Sequence, residues 1–295
     1  MSFAVHLVSV FADEPGGGNP APIVTDASCM SDSDMQGVAR DSGHESGFVL
    51  PASTGSGCDL ALRFWVPNHE MEMCGHATVG SVWLLHKLGL LPKQEVLIET
   101  KSGQVTAKVN GFGSNDARVE ISQPLGRVEE LTGAARAEIL DVLEITEEEM
   151  LPLPIHNAAT SRVKTMIPLK SGAILDGLTP DFSRMEAVCD RIGSTGLYPY
   201  AKIDAERRVF DARQFPKNSG YPEDAATGIA ATALSFALLE NRFVAADGGS
   251  ITIRQGRAMG RPSAITVRFR LDDSGKLLGC WLSGNVALEA DNHDR

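Results

Sequence analysis

Cysteine is scarce and scattered: Cys29, Cys58, Cys74, Cys189 and Cys280 are odd in number and form no Cys-x-x-Cys pair. That pattern excludes a disulfide framework and a zinc knuckle. Positive charge is also short, with 27 Lys and Arg against 38 Asp and Glu and a net charge of −11. Phosphate binding needs clustered Lys and Arg, so no nucleic-acid partner is expected. No apolar run has the length to span a bilayer, and no membrane partner is expected. The opening residues, Met1 to Phe11, lack a basic leader and alternate as a strand does. Together these absences point to a reducing, cytoplasmic location.

What is present is ordinary for a soluble protein: 43% hydrophobic and 22% charged residues over 295 positions, enough for two domains. Most strands alternate polar and apolar residues between Gly, Asn and Pro breakers. A capping signal at Ser31 to Asp34 places a short helix at about 32–41. Helices are also read at about 132–144 and 181–192, while 173–175 reads as a short strand and 278–288 as a last one.

One stretch organises the chain. An acidic loop from Glu70 reaches Cys74-Gly75-His76-Ala77-Thr78 and turns into an apolar helix that starts at about Gly75. The first amides of such a helix have no partner within it and form a ready anion site. The pattern returns at Glu223-Asp224-Ala225-Ala226-Thr227-Gly228-Ile229, an offset of 228 − 75 = 153 positions. Upstream, Arg63 to Pro67 is echoed by Arg213 to Pro216. Each half reads as strand, proline, acidic loop, small-residue turn and apolar helix. This is the mark of an internal duplication into two α+β domains, with helix starts lining a small cleft between them.

The ordered motifs resemble the PhzF-like isomerases, named for phenazine biosynthesis, within the diaminopimelate epimerase fold. They are Val10 to Asp13 with Gly18 to Pro20, Glu45 to Val49, Arg63-Phe64 with Pro67, and Gly75 to Thr78. In the second half they are Arg213 with Phe215-Pro216, Glu223 to Gly228, Gln255-Gly256 with Gly260 to Pro262, and Gly284. The resemblance implies two similar domains, each a barrel-like sheet around a central hydrophobic helix, with the active site in the cleft between them. The expected bounds are 1–124 for the N-terminal domain and 125–278 for the C-terminal one. The last strand, at about 279–295, is a candidate to return to the first. A cofactor-independent isomerase follows, with no metal, a small carboxylate-bearing substrate and a homodimer.

Within that resemblance Glu45 takes a proton from one carbon and returns it to another, work suited to a carboxylate delivered by a tight turn. His76, just inside the helix start, and Asp224, in the matching loop, are its catalytic and substrate-holding partners. The amides of Gly75, His76 and Ala77, and of Thr227, Gly228 and Ile229, bind the substrate carboxylate. Cys74 is a further candidate, since a helix start favours thiolate. Related epimerases use a cysteine from each domain, but the partner position here is Thr227. A metal set of His69, Glu70, Glu72 and His76 lacks a clear ligand spacing. Two alternatives stay open: a cysteine-dependent epimerase or dehydratase, and a non-catalytic module that binds a small anion. The chain departs from the phenazine enzyme's pattern at Ile229, where that pattern has a substrate-binding serine, and at Ala225, usually proline. Loss of the hydroxyl points to a different substrate.

Overall fold

The computed structural model describes residues 3–289 of the chain, so positions 290–295 of the expected last strand lie outside the described residues. Two compact units form, one from the chain up to Ser122 with the segment from Ser283 onward, the other Gln123–Leu282.

The first unit runs β1 (His6–Val10), β2 (Asn19–Val24), α1 (Asp32–Ser42), β3 (Ser46–Leu50), β4 (Leu60–Trp65), β5 (Glu70–Met71), α2 (Gly75–Lys87), β6 (Glu95–Thr100), β7 (Gly103–Asn110) and β8 (Arg118–Gln123). β2–β3 and β4–β6 pair in parallel; β1–β2, β3–β4, β6–β7 and β7–β8 are antiparallel. α1 starts on a capping box between Ser31 and Asp34 and stops at Gly43 in the left-handed region (φ 69°). α2 has no exposed face over its first two turns: every residue from Gly75 to Val82 is buried. It packs on β1, β2, β3 and β7, so the sheet curls around it. Val79, Val82, Leu84 and Leu85 are each at most 4% exposed. Each such side chain contributes roughly 1.5–3 kcal/mol. Gly80 lets the helix lie close to β1, since a Cβ there would stand 2.9 Å from Val8 Cγ2.

The second unit repeats this plan. It runs β9 (Arg127–Leu131), α3 (Ala134–Leu143), β10 (Ile155–Ala159), β11 (Lys164–Leu169), α4 (Gly172–Asp176), α5 (Phe182–Arg191), β12 (Gly196–Asp204), β13 (Val209–Ala212), β14 (Phe215–Pro216), α6 (Gly228–Glu240), β15 (Ser250–Gln255), β16 (Ser263–Leu271) and β17 (Leu277–Ser283). Parallel pairs recur at β11–β12 and β13–β15, and α6 packs on β9, β10, β11 and β16. In the first unit the place of β9 is taken by β18 (Val286–Leu288), which pairs with β1 as β9 pairs with β10. The expected strand at 173–175 is instead part of α4. Ser171 caps it by accepting from the Ile174 amide, and this local bond outweighs the β-branched and apolar side chains.

His156, on β10, is 4% exposed and its Nδ1 makes no hydrogen bond. Burial pushes its pKa below the ordinary 6.5, against the pull of Glu130 and Glu240. The unfolded chain then binds a proton that the folded chain does not, so the stability is complete above about pH 6.5 and falls as pH drops toward the lower folded value. Urea midpoints of the protein should decline from pH 6.5 to 5.5, and His156→Met should flatten that decline. An unchanged slope in the variant would remove His156 from the account.

Candidate functional site

In the first unit the site begins at the turn between α1 and β3. Gly43 reverses the chain, Ser42 Oγ accepts from the His44 amide (3.4 Å), and Ser46 Oγ donates to the His44 carbonyl (3.1 Å). Glu45 is thereby turned toward the start of α2, with its side chain 26% exposed. Cys74 is the residue before that helix, extended at φ −136°. Its carbonyl accepts from the Thr78 amide (3.0 Å) and from Thr78 Oγ1 (2.7 Å), which fixes the first turn. Cys74 Sγ donates to Glu45 Oε2 at 3.2 Å and lies 3.3 Å from His76 Nδ1. His76 Nδ1 is 3.6 Å from the same carboxylate oxygen. A carboxylate, a thiol and an imidazole thus meet at the amino end of a buried helix. That is where developing negative charge is stabilised by the helix dipole.

The four residues weighed as a metal set, His69, Glu70, Glu72 and His76, do not gather there. Glu70 is held by Arg63 and Lys101, while His69 and Glu72 are exposed. Among the described residues the cluster with metal-ligand character is Glu45, Cys74 and His76.

In the second unit the matching loop is braced from inside. Thr227 Oγ1 donates to Asp224 Oδ2. Gln255 Nε2 donates to the Asp224 carbonyl (2.7 Å) and to Thr227 Oγ1 (3.1 Å), and Gln255 Oε1 accepts from the Thr227 amide (3.3 Å) and the Tyr198 hydroxyl (2.9 Å). Burial, with the Asp224 charge beside it, raises the Tyr198 pKa well above its ordinary value, so the hydroxyl stays a donor. Gly256 lets β15 pass the loop: at φ +77°, an added Cβ would stand 2.6 Å from the Ala225 carbonyl oxygen. Gly228 opens α6, and Ile229, half-buried, follows it.

Two supports were not assigned a role from sequence. One is Gln255. The other is a repeated ion pair: Arg63 Nε to Glu70 Oε1 at 2.6 Å, and Arg213 Nε to Glu223 Oε1 at 2.9 Å. Each ties the segment that carries the arginine, β4 in one unit and the link between β13 and β14 in the other, to an acidic residue ahead of the helix. The signal was the Arg-to-Glu recurrence, seven residues apart in one half and ten in the other.

The repeat also exposes an asymmetry. Arg63 lies opposite Phe48, and the Arg213 amide donates to the Pro199 carbonyl. Three residues back from each gives Glu45 in one unit and Gly196 in the other. The second unit carries no carboxylate at the place of Glu45.

The family model described as "Phenazine biosynthesis-like protein" matches residues 8–285. The chain is 32% identical over 275 residues to the uncharacterized isomerase YddE of Escherichia coli K12, covering 92% of this chain and 91% of the relative. It is 29% identical over 291 residues to the trans-2,3-dihydro-3-hydroxyanthranilate isomerase of Pseudomonas aeruginosa, covering 97% and 96%. A solved Bacillus anthracis phenazine biosynthesis protein of the PhzF family matches the fold with a TM-score of 0.86 at 24% identity, over 98% of both chains.

Proposed function

The chain belongs to the phenazine biosynthesis-like family of isomerases, and on that premise we propose that it moves a proton between two carbons of a small carboxylate-bearing substrate, with Glu45 as the group that takes and returns it. The observation that carries this reading is the position of Glu45, partly exposed and 3.2 Å from Cys74 Sγ at the start of α2. The carboxylate accepts the proton as the carbon's electron pair moves into an adjacent π system, and the acid then protonates the second carbon. His76 hydrogen-bonds the substrate. Asp224 accepts from its amino or hydroxyl group, and the amides of Gly75, His76, Ala77, Thr227, Gly228 and Ile229 hold its carboxylate. The reaction needs no cofactor, and the reading extends to a homodimer in the cytoplasm.

Ile229 supports a substrate other than the phenazine precursor. Isoleucine keeps the amide but offers no hydroxyl where the family pattern has a serine.

A second reading, a cysteine-dependent reaction, draws support from the short contacts of Cys74 with both Glu45 and His76. One experiment tests both. Small carboxylates that raise the melting temperature are incubated with protein in deuterium oxide and weighed by mass spectrometry. Deuterium gain catalysed by the wild type supports the isomerase, and equal gain with Cys74→Ala assigns the chemistry away from the thiol. Binding without any exchange would leave a non-catalytic anion-binding protein.

A further inference from the structure

Glu45, Cys74 and His76 also have the geometry of a metal site. Their donor atoms form a triangle with edges of 3.2 Å (Sγ to Oε2), 3.3 Å (Sγ to Nδ1) and 3.6 Å (Nδ1 to Oε2). Zinc bonds of about 2.3 Å to thiolate and about 2.0–2.1 Å to imidazole and carboxylate set tetrahedral edges of about 3.5–3.6 Å to sulfur and about 3.3–3.4 Å between nitrogen and oxygen. The edges of the triangle need to change by only a few tenths of an ångström. Sγ is also 4.0 Å from His76 Nε2 and so lies over the face of the ring, and the imidazole must turn for Nδ1 to aim at the ion. The donors are a thiolate, an imidazole and one carboxylate, a set suited to zinc and ill suited to magnesium or calcium. Cys74, the residue before a buried helix, and His76, in its first turn, are 4% and 5% exposed, so the backbone of two of the three ligands is already ordered. Thiolate and carboxylate together neutralise the dication.

We propose that Glu45, Cys74 and His76 form a three-ligand Zn²⁺ site with its fourth position open. Binding displaces the thiol proton to the buffer, so affinity rises with pH. Zinc would occupy the carboxylate oxygen that the proton transfer requires and so silence turnover. This consequence rests on the function proposed above; the binding itself does not.

The test uses the full chain with the exposed Cys29 and half-buried Cys58 changed to Ser, which removes competing thiols. Titration with Co²⁺ is expected to give a thiolate-to-cobalt charge-transfer band that saturates at one equivalent and is bleached by Zn²⁺. Cys74→Ser should abolish the band and weaken zinc, measured by chelator competition, by about 100-fold or more. Zinc-edge X-ray absorption on the zinc-loaded protein needs no further variant and should count one sulfur ligand. No cobalt band, a band that survives Cys74→Ser, or a zinc spectrum without sulfur would overturn the site. Zinc bound with proton exchange unimpaired would uphold the site and count against Glu45 as the base.

Discussion

Glu45→Gln should lower deuterium exchange into a bound carboxylate by about 10²–10⁴-fold, the usual contribution of a general acid–base group. The amide has nearly the shape of the acid but cannot take a proton from carbon. Fold should survive, because the turn is set by Gly43 and by the Ser42 and Ser46 bonds to His44 rather than by the Glu45 side chain. The glutamine oxygen can still accept from Cys74 Sγ. Ligand-induced rises in melting temperature should therefore remain close to those of the wild type. Exchange at the wild-type rate in this variant would end the proposal, whatever the behaviour of Cys74.

Arg213→Ala is expected to give the largest loss of stability among single substitutions near the loop. Its guanidinium makes a two-pronged pair with Glu223 (2.9 and 2.7 Å) and donates to the carbonyls of Leu175 (3.1 Å), Asp176 (3.3 Å) and Leu178 (2.9 Å). The side chains of the pair are only 11% and 10% exposed. Removing the arginine strands a buried carboxylate and leaves three carbonyls short of a donor, which costs about 3–5 kcal/mol. For a unit of this size that corresponds to a fall in melting temperature on the order of 10 °C. Arg63→Ala should cost less, since Arg63 is 24% exposed and Glu70 keeps Lys101 as a partner. Differential scanning calorimetry of both variants decides the matter: equal falls would show that the two pairs are energetically equivalent, against this account.

Much of the fold was legible in the sequence because its periodicity is local. The helix start at Gly75 and its counterpart at Gly228 follow from a small-residue turn that opens an apolar run, and both helices begin there. The misread segment at 173–175 was too short for periodicity to arbitrate, and a single Ser171 cap decided it. Within the site, Glu45, Cys74 and His76 were each singled out, but 29 residues separate Glu45 from Cys74 in the chain. Only the turn after α1 brings the carboxylate onto the thiol. Gln255 was visible only as part of a motif, because its role is to satisfy backbone groups of a loop 28 to 31 residues away. No local pattern encodes such a bond.

The second unit has Gly196 at the place that Glu45 holds in the first, so the proposed base is not duplicated, and this bears on stereochemistry. A pair of opposed bases strips a carbon on one side and reprotonates it on the other, which inverts the centre. A lone carboxylate hands the proton back on the side from which it came. Carried through the proposed reaction, this gives a suprafacial shift that relocates unsaturation along the substrate rather than a racemisation. Part of an isotope placed on the donor carbon would then reappear on the acceptor carbon of the same molecule.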